Sequence, residues 1–322
     1  MKTQNEFPET LIEAVRYFSN PDNCLNFMVQ IRWPNGITCP RCESKEHSFL
    51  STRRIWKCKG CKKQFSVKVG TIFEDSPIGL DKWLPAVWLI VNCKNGVSSY
   101  EIHREIGVTQ KTAWFMLHRI RFAMQRGSFL GKFSGEVEAD ETFIGGLARN
   151  MHKHKREEKV GHGPVGKTIV MGLLERHGEK ASQIKAMVVP NTGYMTLQKE
   201  VRKHVEPGSD VFTDESSSYT GLRADYVHQF VNHAEKYVEG RVHTNGLENF
   251  WSLLKRGLRG TYVSVEPFHL FRYLDEQSFR FNERKADNAL RFKVVMSTVA
   301  GRRLTYKKLT GKDMEPSPAA IN

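Results

Sequence analysis

Two cysteine pairs, Cys39-Pro-Arg-Cys42 and Cys58-Lys-Gly-Cys61, stand with residues 43–57 between them. Pairs at this separation present four thiolates to one tetrahedral ion, which reads as a zinc site. Four sulfurs close the shell and leave no open position, so the zinc is expected to be structural and to force a small ribbon of short strands around itself. Arg53, Arg54, Trp56, Lys57, Lys59, Lys62 and Lys63 make the second half of that ribbon basic. This suits phosphate contact, although solvated lysines would look the same. Cys24 and Cys93 lack such partners and read as buried free thiols. The N-terminus, MKTQNEFPETL, is not a signal peptide, and the longest apolar run, Trp83 to Val91, falls well short of the ~20 residues that span a bilayer. The expectation is therefore a cytoplasmic, membrane-free chain whose cysteines stay reduced as metal ligands.

A helical pattern in Leu11, Ile12, Val15 and Phe18 precedes the ribbon, with a break at Asn20–Asn23. Three helices are predicted between Leu80 and Met124. Ser98 and Glu101 form a capping box for the middle one, Gly107 separates it from the third, and Thr109 caps the third. This is the outline of a helix-turn-helix. On the third helix Ala113, Leu117, Ile120 and Met124 are expected to face inward, leaving Lys111, Trp114, His118 and Arg121 as an outer stripe for reading DNA. A plain three-helix packing unit is the alternative. Charge favours nucleic acid: 49 Lys and Arg against 35 Asp and Glu give +14, which calls for a polyanionic partner.

From Gly135 the pattern changes to strands. GEVEADETFIGG is a short alternating segment, and residues 147–167 form an expected mobile basic loop. KTIVMGLLERHG and ASQIKAMVVPN read as two further strands, Thr196 to His204 as a helix, and SDVFTDESSSY as another strand. A short helix over Ser216–Leu222, a strand over Tyr226–Val231 and a long helix over His243–Tyr262 complete the order, which is that of a ribonuclease H-like α/β fold. The tail MEPSPAAIN is expected to be disordered. Leu247, Phe250, Trp251, Leu254 and Leu258 give the last helix one apolar stripe. Glu248 and Lys255 lie almost in line, about 20° apart, with Asn245 one turn earlier on a neighbouring face. Taken singly, Asp140 and Asp214 would be loop caps at strand ends and Glu248 part of a solvated face. Taken in order, strand, strand and helix bring three carboxylates together. Without nearby histidines or cysteines, they would favour a hard cation, magnesium or manganese.

Asp140, Asp214 and Glu248, with Lys255 seven residues after the glutamate, resemble the active-site residues of the DDE transposases of bacterial insertion sequences. VEADETFIGG, VFTDESSSY and HTNGLENFWSLLKRGLRG are most similar to the group with an N-terminal zinc ribbon, often called ISXO-like. The resemblance runs from about Cys24 to about Asn282. The chain is accordingly divided into an N-terminal helix and zinc ribbon over residues 1–75, a helix-turn-helix over 76–130, a ribonuclease H-like catalytic domain over 131–300 and a basic tail over 301–322. The resemblance also implies two divalent ions bridged by Asp140, with Asp214 and Glu248 each holding one. Lys255 would position a phosphate, with Arg256 and Arg259 beside the scissile phosphates. Water would attack when an end is nicked, and a 3′ hydroxyl when it is joined to target DNA. Transposon ends and target DNA are the implied partners, bound by a homo-oligomer. Some relatives use asparagine as the third residue, which makes Asn245 a rival to Glu248, since Asn249 points about 100° away. A nuclease or resolvase that cuts without joining, and a regulator whose acids no longer catalyse, are the other two readings.

Overall fold

The computed structural model describes residues 7–125, 131–146, 166–176, 181–214, 217–231 and 243–312. The expected basic loop lies, over residues 147–165, outside the described residues, as does the expected disordered tail. The chain forms two compact units, one from residues 1–124 with 286–322 and one from residues 125–285.

The first unit opens with α1 (Leu11–Phe18) and α2 (Pro21–Arg32). Thr10 and Glu13 close a capping box on α1, and Pro21 occupies the first turn of α2, where its missing N–H costs nothing. The ribbon strands β1 (His47–Leu50), β2 (Ile55–Cys58) and β3 (Gln64–Phe65) pair antiparallel in that order. Trp33, at the end of α2, meets Trp56 and Phe65 edge-on at 5.4 and 6.0 Å, so the ribbon is packed onto the helix before it by aromatic surface. Then come α3 (Leu80–Asn92), α4 (Ser99–Ile106) and α5 (Gln110–Met124). The Ser98–Glu101 box is formed, and Gly107, with φ +63°, ends α4 in the left-handed conformation a side chain would resist.

The second unit is built on β4 (Glu136–Ile144), β5 (Thr168–Glu175), β6 (Gln183–Val189), β7 (Asp210–Asp214) and β8 (Val227–Val231). Its sheet runs β6-β5-β4-β7-β8, with β5 antiparallel to both β4 and β6, and β7 parallel to both β4 and β8. The helices are α6 (Tyr194–His204), α7 (Asn245–Gly257), which continues as a π-turn over Leu258–Tyr262, and α8 (Leu270–Asn282). A 3₁₀ helix spans Ser217–Ala224. Strand alternation in β4 divides the unit. Val137 and Ala139 enter a core with Leu197, Val201, Tyr219 and Leu222 on one face, while Glu138 and Asp140 turn to the other face, where α7 packs.

The chain then returns to the first unit as α9 (Asn288–Met296) and α10 (Tyr306–Leu309). Phe292 of α9 enters an aromatic cluster with Phe18, Phe27 and Trp88, at 5.5, 5.5 and 5.2 Å. The compact division therefore falls after Lys285, where the sequence reading put a boundary at 300. Among the described residues no helix is long and apolar enough to cross a membrane.

Candidate active site

Asp140 and Asp214 meet because β4 and β7 are parallel neighbours. Their last paired rung is Ala139 with Thr213, so the two aspartates stand side by side just beyond it. Helix α7 is brought over this point by two glycines and one buried acid. Gly172, opposite Asp140 on β5, leaves room that a Cβ would take from Leu247 and Trp251, at 2.7 Å from each. Gly246 likewise passes within reach of Glu138, whose carboxylate oxygens would lie 2.9 and 3.0 Å from an added Cβ.

Thr244, which precedes α7, makes no side-chain cap. Glu138 does that work from the sheet: it accepts a 2.9 Å hydrogen bond from the Leu247 N–H while it accepts another, at 2.7 Å, from Arg176 Nε. Arg176 also donates to the His243 carbonyl and stacks over Phe212, with 4.6 Å to the ring centre. Glu138 is 1% exposed. A carboxylate this deep is tolerated because a guanidinium and the positive end of a helix share its charge. Sequence reading missed it. Its position two residues before Asp140 in an alternating strand was the available signal, since it places both acids on one face.

Trp251 Nε1 donates to Asp140 Oδ2 at 2.8 Å, and Thr244 Oγ1 donates to Asp214 Oδ1 at 3.3 Å, so both aspartates are tied to the α7 segment. Glu248 and Asn245 are exposed on the first turn of α7, Lys255 is half-buried two turns later, and Arg256 and Arg259 are exposed. Burial first, then the charges of Asp214 and Glu248, push the Asp140 carboxyl up to about 6 against the lowering hydrogen bonds from Trp251 and the Glu141 N–H. The neighbouring Glu141, hydrogen-bonded by the Tyr219 hydroxyl, is pushed up to about 8 by burial and by the charges of Asp140 and Asp214. Four carboxylates, Asp140, Glu141, Asp214 and Glu248, thus share one negative field, a hard oxygen donor set suited to a divalent cation.

That field has a cost for metal-free protein. Below pH 3.8 the Asp140 carboxyl is protonated in both folded and unfolded chains; between 3.8 and about 6 the folded chain holds the proton longer, so stability falls as pH rises, and above 6 the full penalty remains. Asp140→Asn is expected to stabilise metal-free protein at pH 7.5 by on the order of 2 kcal/mol, and the gain should vanish near pH 4. Urea unfolding of both proteins at the two pH values measures it; equal midpoints at pH 7.5 would contradict the raised carboxyl.

In the first unit, Cys39, Cys42, Cys58 and Cys61 bring their sulfurs within 4.8 Å of one another. Among the described residues only these four converge so closely; Asp140, Asp214 and Glu248 are not gathered to that spacing. Backbone N–H groups of Cys61 and Gly60, with the adjoining thiols, draw the Cys58 thiol down to about 6, towards the thiolate a metal requires.

The outer stripe expected on α5 is only partly on the surface. Lys111 is exposed and Trp114 half-buried, but His118 and Arg121 are 0% and 1% exposed. Helix α5 is enclosed on more than its predicted inner face. The returning chain reaches it: the Thr298 hydroxyl donates to the Ala123 carbonyl at 2.6 Å, and Arg119 donates to the Leu304 carbonyl at 3.2 Å. Helical periodicity marks one buried stripe only, whereas this cover comes from residues 175 and 185 positions away in the chain.

Residues 132–282 match the ISXO2-like transposase domain, and residues 19–64 match a transposase zinc-ribbon domain. An uncharacterized protein in transposable element ISH50 of Halobacterium salinarum is 26% identical over 257 residues, covering 76% of this chain and 85% of that protein. An uncharacterized transposase-like protein of Haemophilus influenzae is 35% identical over 101 residues, which are 31% of this chain and 81% of that protein. With the zinc-ribbon cysteines convergent and the aspartates adjacent beneath α7, the chain belongs to the ISXO2-like transposase family.

Proposed function

We propose that the chain is a DNA transposase that binds transposon ends through a helix-turn-helix formed by α4 and α5, and that nicks and joins strands at Asp140, Asp214 and Glu248 on a ribonuclease H-like catalytic unit. The observation that carries this reading is the adjacency of Asp140 and Asp214 on parallel strands beneath the helix that bears Glu248. An antiparallel hairpin pair on one side of β4 and two parallel strands on the other is the sheet order of the ribonuclease H-like fold.

The donor set fits magnesium or manganese: all three residues offer carboxylate oxygens, and the charges of Asp214 and Glu248 both raise the Asp140 carboxyl. A pair of such ions, when bound, activates the attacking oxygen and stabilises the leaving one. Asp140 would hold the ions together with Asp214 and Glu248. Lys255 lies two turns along the helix from Glu248 and holds a phosphate oxygen in register, while Arg256 and Arg259 follow the backbone outward. Attack forms a new phosphorus–oxygen bond as the bond to the 3′ oxygen breaks, and that oxygen leaves with the electron pair to become the 3′ hydroxyl. Water is the attacker in nicking, and the freed 3′ hydroxyl is the attacker in joining. Four thiolates at the ribbon hold zinc in a purely structural role.

The test is strand nicking and joining on duplexes carrying the element's terminal sequence, with magnesium. Glu248→Gln is expected to lower the rate by roughly 10²-fold, equivalent to ~2.7 kcal/mol, and Asn245→Ala by less, because a neutral amide cannot replace a carboxylate at divalent ions. An active Glu248→Gln beside a dead Asn245→Ala would give the third position to the asparagine. Cutting without any joining would replace the transposase reading with that of a nuclease.

A further inference from the structure

We propose that the C-terminal return, through Lys307 and Lys308 on α10, completes the DNA-contacting face begun by Lys111 on α5, and that the partner is the phosphate backbone of duplex DNA. This rests on the reading above that α5 meets DNA. In a helix-turn-helix the first turn of the second helix enters the major groove. Here that turn exposes Lys111, whereas Arg121 further along is buried, so α5 alone offers little positive surface.

Helix α10 supplies what is missing. Tyr306, at its start, packs edge-on against Phe115 with 5.7 Å between ring centres, and Lys111 Nζ lies 5.1 Å from the centre of the same tyrosine ring. Thr305 caps α10 by accepting from the Lys308 N–H at 3.2 Å, and Leu309 is buried, so the short helix is anchored from below while Lys307 and Lys308 stand exposed. Deeper support comes from Arg119, which donates to the carbonyls of Ile72, Glu74 and Leu304 at 3.0, 2.9 and 3.2 Å and so fixes the strap that carries α10. A cleft of about 330 Å³ opens where α5 meets Tyr306 and the segment before α3, with Asp75, Ser76, Lys111, Thr112, Phe115 and Tyr306 among its walls.

Charge separates supporting cations from available ones. Arg303 is engaged by Asp75 and Glu74. Among the described residues no carboxylate pairs with Lys111, Lys307 or Lys308. Asp75, in the same cleft wall as Lys111, is held by Arg303, so the three ammonium groups on α5 and α10 have no paired carboxylate among the described residues, which is the arrangement that counterion release on a polyanion rewards.

Phosphate contacts are blind to sequence, so a labelled duplex of about 30 base pairs and arbitrary sequence serves as probe. Full-length protein and its Lys307→Ala/Lys308→Ala variant would be titrated against it from 50 to 200 mM salt by fluorescence anisotropy. Each lost phosphate contact lowers the slope of log affinity against log salt by about 0.9, so the double variant should lose about 1.8 from the slope and bind tenfold or more weakly at the low-salt end. Lys111→Ala should remove about 0.9, and Lys199→Ala, on α6, should change nothing. Thermal unfolding of the double variant should match the parent, since both side chains are exposed. A slope unchanged by the double variant but lowered by Lys111→Ala would overturn this proposal and leave the helix-turn-helix reading intact; a slope unchanged by both would overturn the assignment of α5 to DNA itself.

Discussion

Asp140→Ala and Asp214→Ala proteins are expected to bind end-bearing duplexes with nearly parental affinity while losing nicking and joining by 10³-fold or more, equivalent to ~4 kcal/mol or more of transition-state stabilisation. The size of the loss follows from position. The two acids stand just beyond the last rung that β4 and β7 share, and on the proposed reading removing either would leave the divalent ions with fewer anionic oxygens. The sparing of binding follows from sign, because carboxylates repel the DNA backbone and contribute nothing to holding it. Gel-shift and strand-transfer assays on the same preparations separate the two properties. An Asp214→Ala protein that still joins strands, with undiminished metal dependence, would remove Asp214 from the site.

Stripping the metal, or Cys58→Ser, is expected to unfold the ribbon while the second unit keeps its fold. A closed thiolate site contributes folding free energy on the order of 10 kcal/mol or more in isolated zinc modules, and β1 to β3 offer little else: four, four and two residues of strand with a few aromatic contacts. Trp33, Trp56 and Phe65 should lose their packing together, so tryptophan fluorescence will report the event. Limited proteolysis of metal-free protein should cut first between residues 39 and 65. Equal protection of the ribbon and of β4 to β8 would show that zinc does not hold the ribbon.

What could be read in advance was what local spacing dictates. Two CxxC pairs specify a cluster whatever surrounds them, and the alternation around Asp140 and the apolar stripe of α7 fixed strand, helix and their facing sides. Glu138 escaped because a buried acid is credible only when its partners are known, and Arg176 and the α7 N-terminus come 38 and 109 residues later. His118 and Arg121 were misplaced for a related reason. Polar residues on a helix read as solvent-facing until something distant covers them, and α5 is covered in part by chain beyond residue 298. That return carries no local signal: a basic stretch near a terminus looks like a tail, and α10 is a single turn held by Tyr306 and Leu309.

Because α9 and α10 belong to the first unit, its core stays unfinished until the whole second unit has left the ribosome. At about 5–20 residues per second, the roughly 160 intervening residues take on the order of 10–30 s to synthesise. Throughout that interval Phe18, Phe27 and Trp88 wait for Phe292. The second unit, compact in itself, can fold meanwhile. A chain ending before Asn288 would then retain its acids and its cysteines but leave Phe18, Phe27 and Trp88 without Phe292, an exposed apolar surface of the kind that drives aggregation.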